Sequence, residues 1–257
     1  MKTVSRLSIA PVKGMALVHP DEVRLERYGV ASNRRFYLVD EDGRRYGQIR
    51  DGTLVQIAPE YDEQAERLTL RFPDDAVVAG DVELGAPIVA DFYGRAVAGR
   101  VVEGEWAEAI SRHAGRSVRL VRADEPGAGV DRGLGPVTML SDASLEELAR
   151  NANRDGVDPR RFRMLIGIAG CEPHEEDAWL GGLVRVGEAV VRLHEQVARC
   201  AITTQSPETG APDFDTLREI KRYRGTRADG GKHIDFGVFG EVEQPGRVRL
   251  GDEVEPF

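Results

Sequence analysis

Short runs of alternating apolar and polar residues, separated by turns that contain glycine, constrain the fold of this chain most. Residues 35–39 and 44–49 are two such runs around Asp42-Gly43, and glycine there supplies the positive φ that a tight hairpin turn requires. Residues 67–72 alternate strictly, which predicts a strand with one face toward solvent. We therefore expect the first 100 residues or so to form a small β-barrel or sandwich.

Three segments have the apolar spacing of helices, at about 104–114, 142–153 and 213–223. In the second, Ser144 and Glu147 fit a capping box, and Ser141 is another candidate for the helix cap. The five Gly or Pro residues within 122–135 indicate a loop or a connector between domains. The expected fold class is therefore mainly β with a few helices (α+β). Further strands are expected at about 117–122, 136–140, 162–169, 183–193, 235–242 and 247–254.

The charge balance limits the partners. The chain has 35 Lys and Arg against 44 Asp and Glu, which gives a formal net charge of −9. Nucleic acid and anionic lipid both require a cationic surface, so neither nucleic acid nor a membrane is an expected partner. The N-terminal residues run directly into a strand pattern, and no apolar run reaches the roughly 18 residues that span a bilayer. We expect a cytoplasmic protein that acts on a small molecule.

Two cysteines, Cys171 and Cys200, are the whole thiol inventory, which argues against a disulfide framework or paired-cysteine zinc spacing. Cys200 follows an alternating run and precedes a turn-rich stretch, so it should lie where a strand enters a loop. Arg199 beside it would favour the thiolate, the form that binds soft metals and attacks electrophiles. A buried structural cysteine is the alternative. His174, three residues after Cys171, makes only a weak zinc motif without a second pair.

The segment around Cys200 carries a longer pattern. Residues 199–210 read Arg-Cys-x-x-Thr-Thr-x-x-Pro-x-Thr-Gly, followed by Leu217 and Tyr223-Arg224. This pattern resembles the MOSC domains, in the branch that has an N-terminal β-barrel domain and includes the mitochondrial amidoxime-reducing components. The resemblance implies a β-barrel domain over 1–100 and a MOSC β-barrel domain over 101–257. Further matching segments, in chain order, are Pro11-Val12-Lys13-Gly14, 34–39, 141–145, Phe162-Arg163, 176–179 and Gly251-Asp252.

The resemblance also implies a ligand. It predicts a pocket between the two domains for a pyranopterin-dithiolene molybdenum cofactor, with Cys200 as the protein's ligand to molybdenum and no use of pyridoxal phosphate. A soft, anionic thiolate suits such a metal. Lys13, Arg35 and Arg163 align with family positions that hold the phosphate and the pterin, and Arg199 could help either the cofactor or the metal ligand.

The residues considered alone leave other interpretations open. Arg34 and Arg35 begin an alternating run, so one of them should face solvent, and Lys13 could be an ordinary turn lysine. His194 and His233 are candidates for proton transfer because histidine titrates near neutrality, although a surface histidine is the commoner outcome.

The sequence departs from the family pattern at positions that would contact the cofactor. Gly14 stands where this branch usually has Ser, and Leu165 stands where it has Asn. Val197 and Ala198 stand where Cys and Ser are common. If each lost hydrogen bond weakens binding by roughly 0.5–1.5 kcal/mol, cofactor affinity falls by one to several orders of magnitude. The retained cations still indicate an anionic ligand.

Three functions follow as hypotheses. The first is a molybdenum-cofactor oxidoreductase that reduces amidoximes, hydroxamates or hydroxylamines. It would need a separate reductase and a small electron-transfer protein, because the chain has neither a dinucleotide fingerprint nor enough cysteines for an iron–sulfur cluster. The second is a non-redox enzyme or sulfur carrier that uses Cys200 and the basic pocket on an anionic substrate. The third is a binding module that delivers the cofactor without turnover.

Overall fold

The computed structural model describes residues 1–127, 135–227 and 232–257, and its regular structure is mainly β, which confirms the predicted fold class. The first strands are β1 (Thr3–Leu7), β2 (Glu22–Leu25), β3 (Phe36–Asp40), β4 (Arg45–Tyr46), β5 (Ala58–Asp62), β6 (Arg67–Arg71), β7 (Val77–Asp81), β8 (Glu83–Phe92), β9 (Arg95–Glu103) and β10 (Val118–Ala123). The remaining strands are β11 (Val137–Ser141), β12 (Ile166–Ala169), β13 (Leu183–Val186), β14 (Ala189–Ala198), β15 (Asp235–Gln244), β16 (Gly246–Arg249) and β17 (Val254–Pro256). The described α-helices are α1 (Trp106–Ala114), α2 (Asp142–Asn151) and α3 (Thr216–Arg224).

A seven-stranded sheet in the order β1-β12-β11-β15-β14-β13-β17 curls into a nearly closed barrel. Its two edge strands approach each other, because the Val4 amide donates to Asp252 O at 2.8 Å and the Val254 amide donates to Lys2 O at 2.9 Å. Closure of this kind removes exposed strand edges. The barrel interior is filled by aliphatic side chains from most of its strands, among them Leu7, Ile168 and Val191.

A second sheet in the order β4-β3-β10-β9-β8 packs with the three-stranded sheet β5-β6-β7 and helix α1. Phe36, Leu70 and Trp106 belong to the core that these elements share. The predicted hairpin is confirmed, because β3 pairs antiparallel with β4 around Gly43, whose φ is +77°. Strand β6 also alternates as predicted, with Leu68 and Leu70 buried.

The hydrogen bonding crosses the predicted domain limits at both ends. Strand β1 lies in the seven-stranded sheet, and β2 pairs with β16 near the C-terminus. Strand β10 instead pairs with β3 and β9 of the second sheet. The division into 1–100 and 101–257 stays a prediction about domain limits. The sheets combine strands from both of these segments.

All three predicted helices are present, but one predicted cap is wrong. The Ser141 Oγ accepts a hydrogen bond from the Ser144 amide at 3.1 Å, so Ser141 is the cap of α2. The Ser144 and Glu147 pair does not cap the helix, because Ser144 already lies in its first turn. The helix begins earlier than the pair suggested since β11 runs directly into it.

Several predicted strands differ in extent. The predicted strands at 183–193 and 247–254 are each two strands, divided at Gly187 (φ +55°) and before Val254 by Gly251 (φ +84°). The predicted strand at 162–169 begins only at Ile166, because a 3-10 helix (Pro159–Phe162) occupies its start. Part of the predicted connector at 122–135 belongs to β10, and its positions 128–134 lie outside the described residues.

Candidate functional site

Cys200 lies where β14 gives way to a loop, as predicted. Strand β14 ends at Ala198, and Cys200 precedes a 3-10 helix, Ala201–Thr204, with its thiol side chain exposed. Its carbonyl oxygen accepts hydrogen bonds from the Thr203 amide and the Thr203 hydroxyl, both at 3.1 Å. The Thr203 and Thr216 hydroxyls lie 2.6 Å apart, which ties this turn to the start of α3. The backbone of Cys200 is thus held firmly while its sulfur remains accessible.

Arg199 connects the end of β14 to two neighbouring segments. Its Nε donates to Phe236 O at 2.7 Å, and its Nη1 donates to Phe162 O at 3.1 Å. The guanidinium carbon lies 5.2 Å from the centre of the Phe162 ring. These contacts fix the strand immediately before Cys200. They identify Arg199 as a positioning residue, while its role in cofactor binding stays a prediction.

Arg163 lies at the junction with the N-terminal segment. It ends the 3-10 helix Pro159–Phe162 in a left-handed conformation, with φ +51°. Its Nη2 donates to Met15 O at 2.8 Å, and its own carbonyl oxygen accepts from Arg34 Nη2 at 3.4 Å. The same 3-10 helix packs against Ala201–Thr204, the turn that begins at Cys200. Arg163 therefore links the Cys200 turn to the segment that follows Lys13.

Lys13 and Arg35 both lie beside Phe36, the first residue of β3. The Lys13 amide donates to Phe36 O at 2.8 Å, and the Phe36 amide donates to Pro11 O at 3.0 Å. Arg35 is the residue before Phe36, and its Nη1 donates to Ala123 O at 2.8 Å. Both cationic side chains are half-buried. These backbone contacts place the Lys13 segment beside the start of β3. That Lys13, Arg35 and Arg163 share one pocket with Cys200 stays a prediction.

The prediction that Arg34 and Arg35 begin an alternating strand is wrong. Arg34 has a φ of +57°, so the strand begins only at Phe36, and Phe36 to Val39 are all buried. Neither arginine faces solvent fully. The buried Asn33 sets this geometry, because its Oδ1 accepts from the Ala10 amide and from Arg34 Nη1, both at 3.0 Å. The sequence signal for this turn was Asn33, which directly precedes Arg34.

Gln48 and Gln205 join the Cys200 loop to the N-terminal domain, and neither was predicted from the sequence. Gln205 Nε2 donates to Gln48 O at 3.2 Å. The Gln205 carbonyl in turn accepts from Arg161 Nη1 at 2.8 Å, and the buried Arg161 also forms a two-pronged ion pair with Asp213. These contacts fix the loop after Cys200 against the turn after β4.

Gly14 and Leu165 depart from the family pattern for reasons visible in the packing. Gly14 has a φ of +92°, and a Cβ atom there would lie 3.2 Å from the Gln48 amide nitrogen. A serine at this position would therefore be strained and crowded. Leu165 is buried in the barrel core, so its side chain packs rather than binds. The family pattern has a polar side chain at each of these positions. Here Gly14 serves a tight turn and Leu165 packs in the core.

The residue types predicted for the site fit the predicted cofactor. A thiolate suits a soft metal, and guanidinium and ammonium groups suit a phosphate. Gln48 Oε1 and Gln205 Oε1 are buried and, among the described residues, have no hydrogen-bond partner, so ligand N–H groups would satisfy them. Within residues 1–127, 135–227 and 232–257 no three His, Cys, Asp or Glu side chains form a metal cluster. Cys200 as the protein's ligand to molybdenum stays a prediction.

The other cysteine has a different environment. Burial, with further contributions from Glu175 and Glu176, raises the pKa of Cys171 to about 12. Burial and the Arg224 guanidinium lower the pKa of His174 to about 4. The His174 ring is engaged by Arg224 at Nδ1 and by the Tyr223 hydroxyl at 3.2 Å from Nε2. His174 therefore belongs to a packed polar cluster with Tyr223 and Arg224, whereas the half-buried Cys171 packs against the barrel core.

The remaining histidine candidates lie at the surface. His194 Nε2 lies 3.3 Å from Glu241 Oε2, a contact between β14 and β15. His233 is exposed, and its carbonyl oxygen accepts from the Arg227 amide at 3.0 Å. A proton-transfer role for either stays a prediction. No helix in the described part of the chain is long and apolar enough to cross a membrane.

The fold and the site define a mainly β protein with an exposed thiol where β14 enters a loop, and comparison with known proteins gives the family. A model of the MOSC domain matches residues 129–255, and a model of the MOSC N-terminal beta barrel domain matches residues 1–104. The chain belongs to the MOSC-domain family, in the arrangement with an N-terminal β-barrel domain.

Two curated relatives match nearly the whole chain. Mouse mitochondrial amidoxime-reducing component 1 is 27% identical over 279 residues, which cover 98% of this chain and 81% of the relative. Human mitochondrial amidoxime reducing component 2 is 27% identical over 281 residues, which cover 98% and 82%. The crystal structure of the YuaD protein from Bacillus subtilis aligns with a TM-score of 0.48 and 13% identity, covering 100% of this chain and 96% of that one.

Proposed function

We propose that this protein is a molybdenum-cofactor-dependent oxidoreductase that reduces N-hydroxylated small molecules such as amidoximes, hydroxamates and hydroxylamines. The observation that carries the proposal is the exposed Cys200 thiol, whose backbone is held by Thr203 where β14 enters a loop. That Lys13, Arg35 and Arg163 line the same pocket is part of the proposal. The amidoxime-reducing names of the relatives support the reaction class. When bound, the cofactor would supply two-electron removal of an oxygen atom from the substrate nitrogen.

The protein's own part in this proposal is binding and orientation. Cys200 supplies the metal ligand, and the Thr203 contacts to its carbonyl oxygen hold that ligand at a fixed place on the turn. Arg163 and Arg35 offer planar guanidinium groups for the phosphate and the pterin, and Lys13 adds a point charge. Arg199 acts through Cys200 by fixing the strand before it.

The reaction needs electrons that this chain does not carry. A two-electron reductant must reach the site after each turnover, and the sequence contains only Cys171 and Cys200 as thiols. We therefore propose a separate small electron-transfer protein and a reductase as partners, acting in the cytoplasm.

A second candidate is a non-redox enzyme or sulfur carrier on the same fold. The packing of Gly14 and Leu165 favours it, because neither position offers the polar side chain that the family pattern places there. In that case Cys200 would act as the nucleophile, and the cations would hold an anionic substrate.

One experiment separates the two candidates. The chain is purified from a host that makes the cofactor, its molybdenum and fluorescent pterin are measured, and reduction of benzamidoxime by reduced viologen is followed. We expect close to one molybdenum and one pterin per chain, together with benzamidine formation. Folded protein that contains neither molybdenum nor pterin and forms no benzamidine would contradict the proposed reductase and favour the second candidate.

A further inference from the structure

Two glutamine amides at the domain junction have incomplete hydrogen bonding. Gln48 is only 6% exposed, and both Gln48 Oε1 and Gln205 Oε1 are buried without a partner among the described residues. Leaving a buried acceptor unsatisfied is unfavourable, so native proteins satisfy nearly all such atoms. Gln205 contacts the Gln48 backbone, so the two acceptors belong to neighbouring residues, and a bound molecule would complete their hydrogen bonding.

The orientation of Gln205 follows from its contact. Its Nε2 donates to Gln48 O at 3.2 Å, and the amide oxygen could not take that place because it would face another acceptor. Gln205 Oε1 is therefore the atom left to accept. Arg161 Nη1 donates to the Gln205 carbonyl oxygen at 2.8 Å, which fixes the Gln205 backbone. The side chain is thus positioned by contacts that leave its amide oxygen without a partner among the described residues.

Both amides adjoin elements of the candidate site. Gln205 ends the 3-10 helix that begins after Cys200, and its backbone N–H donates to Ile202 O. Gln48 lies beside the turn at Lys13, since a Cβ atom on Gly14 would be 3.7 Å from Gln48 Cβ. The two residues therefore connect the loop after Cys200 to the turn at Lys13.

We propose that Gln48 and Gln205 form a paired acceptor site that recognises the N–H edge of the molecule bound at the Cys200 junction. The inference rests on the proposed function and extends it to residues outside the family pattern. The acceptors supply polar contacts near Gly14, where the serine hydroxyl of that pattern is missing. Two ligands have donors of this kind, the aminopyrimidinone ring of the pterin and the amino and hydroxyl groups of an amidoxime.

The test uses Gln48→Met and Gln205→Met in the full chain, with Gln64→Met as the control in an exposed turn of the same domain. Binding of 6-hydroxymethylpterin and of benzamidoxime to cofactor-free protein is measured by calorimetry, together with pterin content and the KM for benzamidoxime in loaded protein. We expect each site variant to weaken one probe about tenfold, which corresponds to about 1.4 kcal/mol. Weaker pterin binding identifies the cofactor as the source, and a raised KM identifies the substrate.

The melting temperature of the cofactor-free protein distinguishes ligand recognition from a purely structural role. Methionine removes the unsatisfied oxygen, so under the proposal the Tm of cofactor-free Gln48→Met should equal or exceed that of the wild type. A lowered Tm with unchanged binding overturns the inference, as does wild-type protein that binds neither probe. Wild-type protein that binds a probe through these glutamines but contains no molybdenum and reduces no substrate contradicts the proposed function and leaves the paired acceptor site intact.

Discussion

The two cysteines lie in regions that contain similar residue types but differ in burial, since the Cys200 thiol is exposed and Cys171 is half-buried. The Cys200 region (Cys200, Thr203 and the cations Lys13, Arg35 and Arg163) has an exposed thiol, and the described guanidinium contacts of Arg35 and Arg163 are to backbone carbonyls. The Cys171 region (Cys171, His174, Glu176, Tyr223 and Arg224) is more buried. Its Cys171 packs against the barrel core, its His174 bonds to Tyr223 and Arg224, and its Glu176 accepts from Ser144.

The difference shows that burial and partner type decide what a cysteine can do. Burial raises the pKa of Cys171 to about 12, so only about one thiol in ten thousand is ionised at pH 8. Glu176, fully buried, accepts from the Ser144 hydroxyl at 2.8 Å and ties its loop to the start of α2. The Cys171 region is a structural cluster, whereas the Cys200 region keeps its thiol accessible for a ligand.

The largest expected effect separates the two thiols. Cys200→Ser should reduce benzamidoxime reduction by more than about 100-fold, because changing residues that only support metal ligands already costs about 10–100-fold. Cys171→Ser is the matched control and should retain activity within about threefold, since its thiol only packs, half-buried, against the barrel core. Steady-state rates of both variants at equal protein concentration check this, and full activity in Cys200→Ser would place the chemistry elsewhere.

The next effect tests Arg199 as a positioning residue. Arg199→Ala leaves Phe236 O and Phe162 O without their donor, and unsatisfied buried groups cost about 1–3 kcal/mol each. We expect the free energy of unfolding to fall by about 2–4 kcal/mol in urea. Arg192→Ala on the same strand breaks only an exposed pair with Glu243 and should cost less than about 1 kcal/mol. Equal costs for the two variants would contradict the assignment.

A similar comparison tests the cationic junction. Arg35→Ala and Arg163→Ala should each weaken cofactor retention about 10- to 150-fold, since hydrogen bonds to charged groups contribute about 1.5–3 kcal/mol. Arg185→Ala, which removes an exposed arginine paired with Glu255, is the control. Molybdenum and pterin content after dialysis measures the effect, and thermal unfolding checks the fold. Normal retention in both site variants would show that the anion pocket lies elsewhere.

The smallest effect concerns pH and the Cys171 region. The pKa of His174 is lowered to about 4 in the folded state by burial and Arg224, against about 6.5 when unfolded. The unfolded chain therefore binds the proton first, and stability that is complete above pH 6.5 is lost as the pH falls toward 4. The carboxylates of Asp177 and Glu147 oppose this shift only partly. Allowing for solvent screening at the half-buried ring, the loss is about 1–2 kcal/mol.

His174→Asn isolates this term, because asparagine tolerates the left-handed φ of +61° at this position and does not titrate. The unfolding free energy of both proteins is measured in urea between pH 7.5 and pH 5. The wild type should lose more stability than the variant over this range, while the raised pKa of the buried Glu176 affects both equally. Parallel curves would mean that His174 is not the group responsible.

The sequence predicted the elements with local signals. Asp42-Gly43 marked the hairpin, the apolar spacing marked three helices, and Cys200 was placed at the end of a strand, all of which the structure confirms. These features depend on a few neighbouring residues, so periodicity and turn chemistry reveal them.

What the sequence could not reveal depends on contacts between distant segments. The pairing of Gln205 with Gln48 joins residues 157 apart, and the bond from Arg163 to Met15 joins residues 148 apart. The interleaving of β1 and β2 with the C-terminal strands is of the same kind. Periodicity gives no information on such pairs, so the glutamine pair and the role of Arg199 became visible only in the structure.

The contrast between the two thiols is also the most direct test of Cys200 as the metal ligand. Cofactor-free and cofactor-loaded protein are treated briefly with iodoacetamide near pH 6.5, and alkylation of each cysteine is measured by peptide mass spectrometry. We predict that Cys200 is labelled first in cofactor-free protein, that loading protects it, and that labelling of Cys171 stays low in both. Preferential labelling of Cys171, or labelling of Cys200 that is unchanged by loading, would contradict the account.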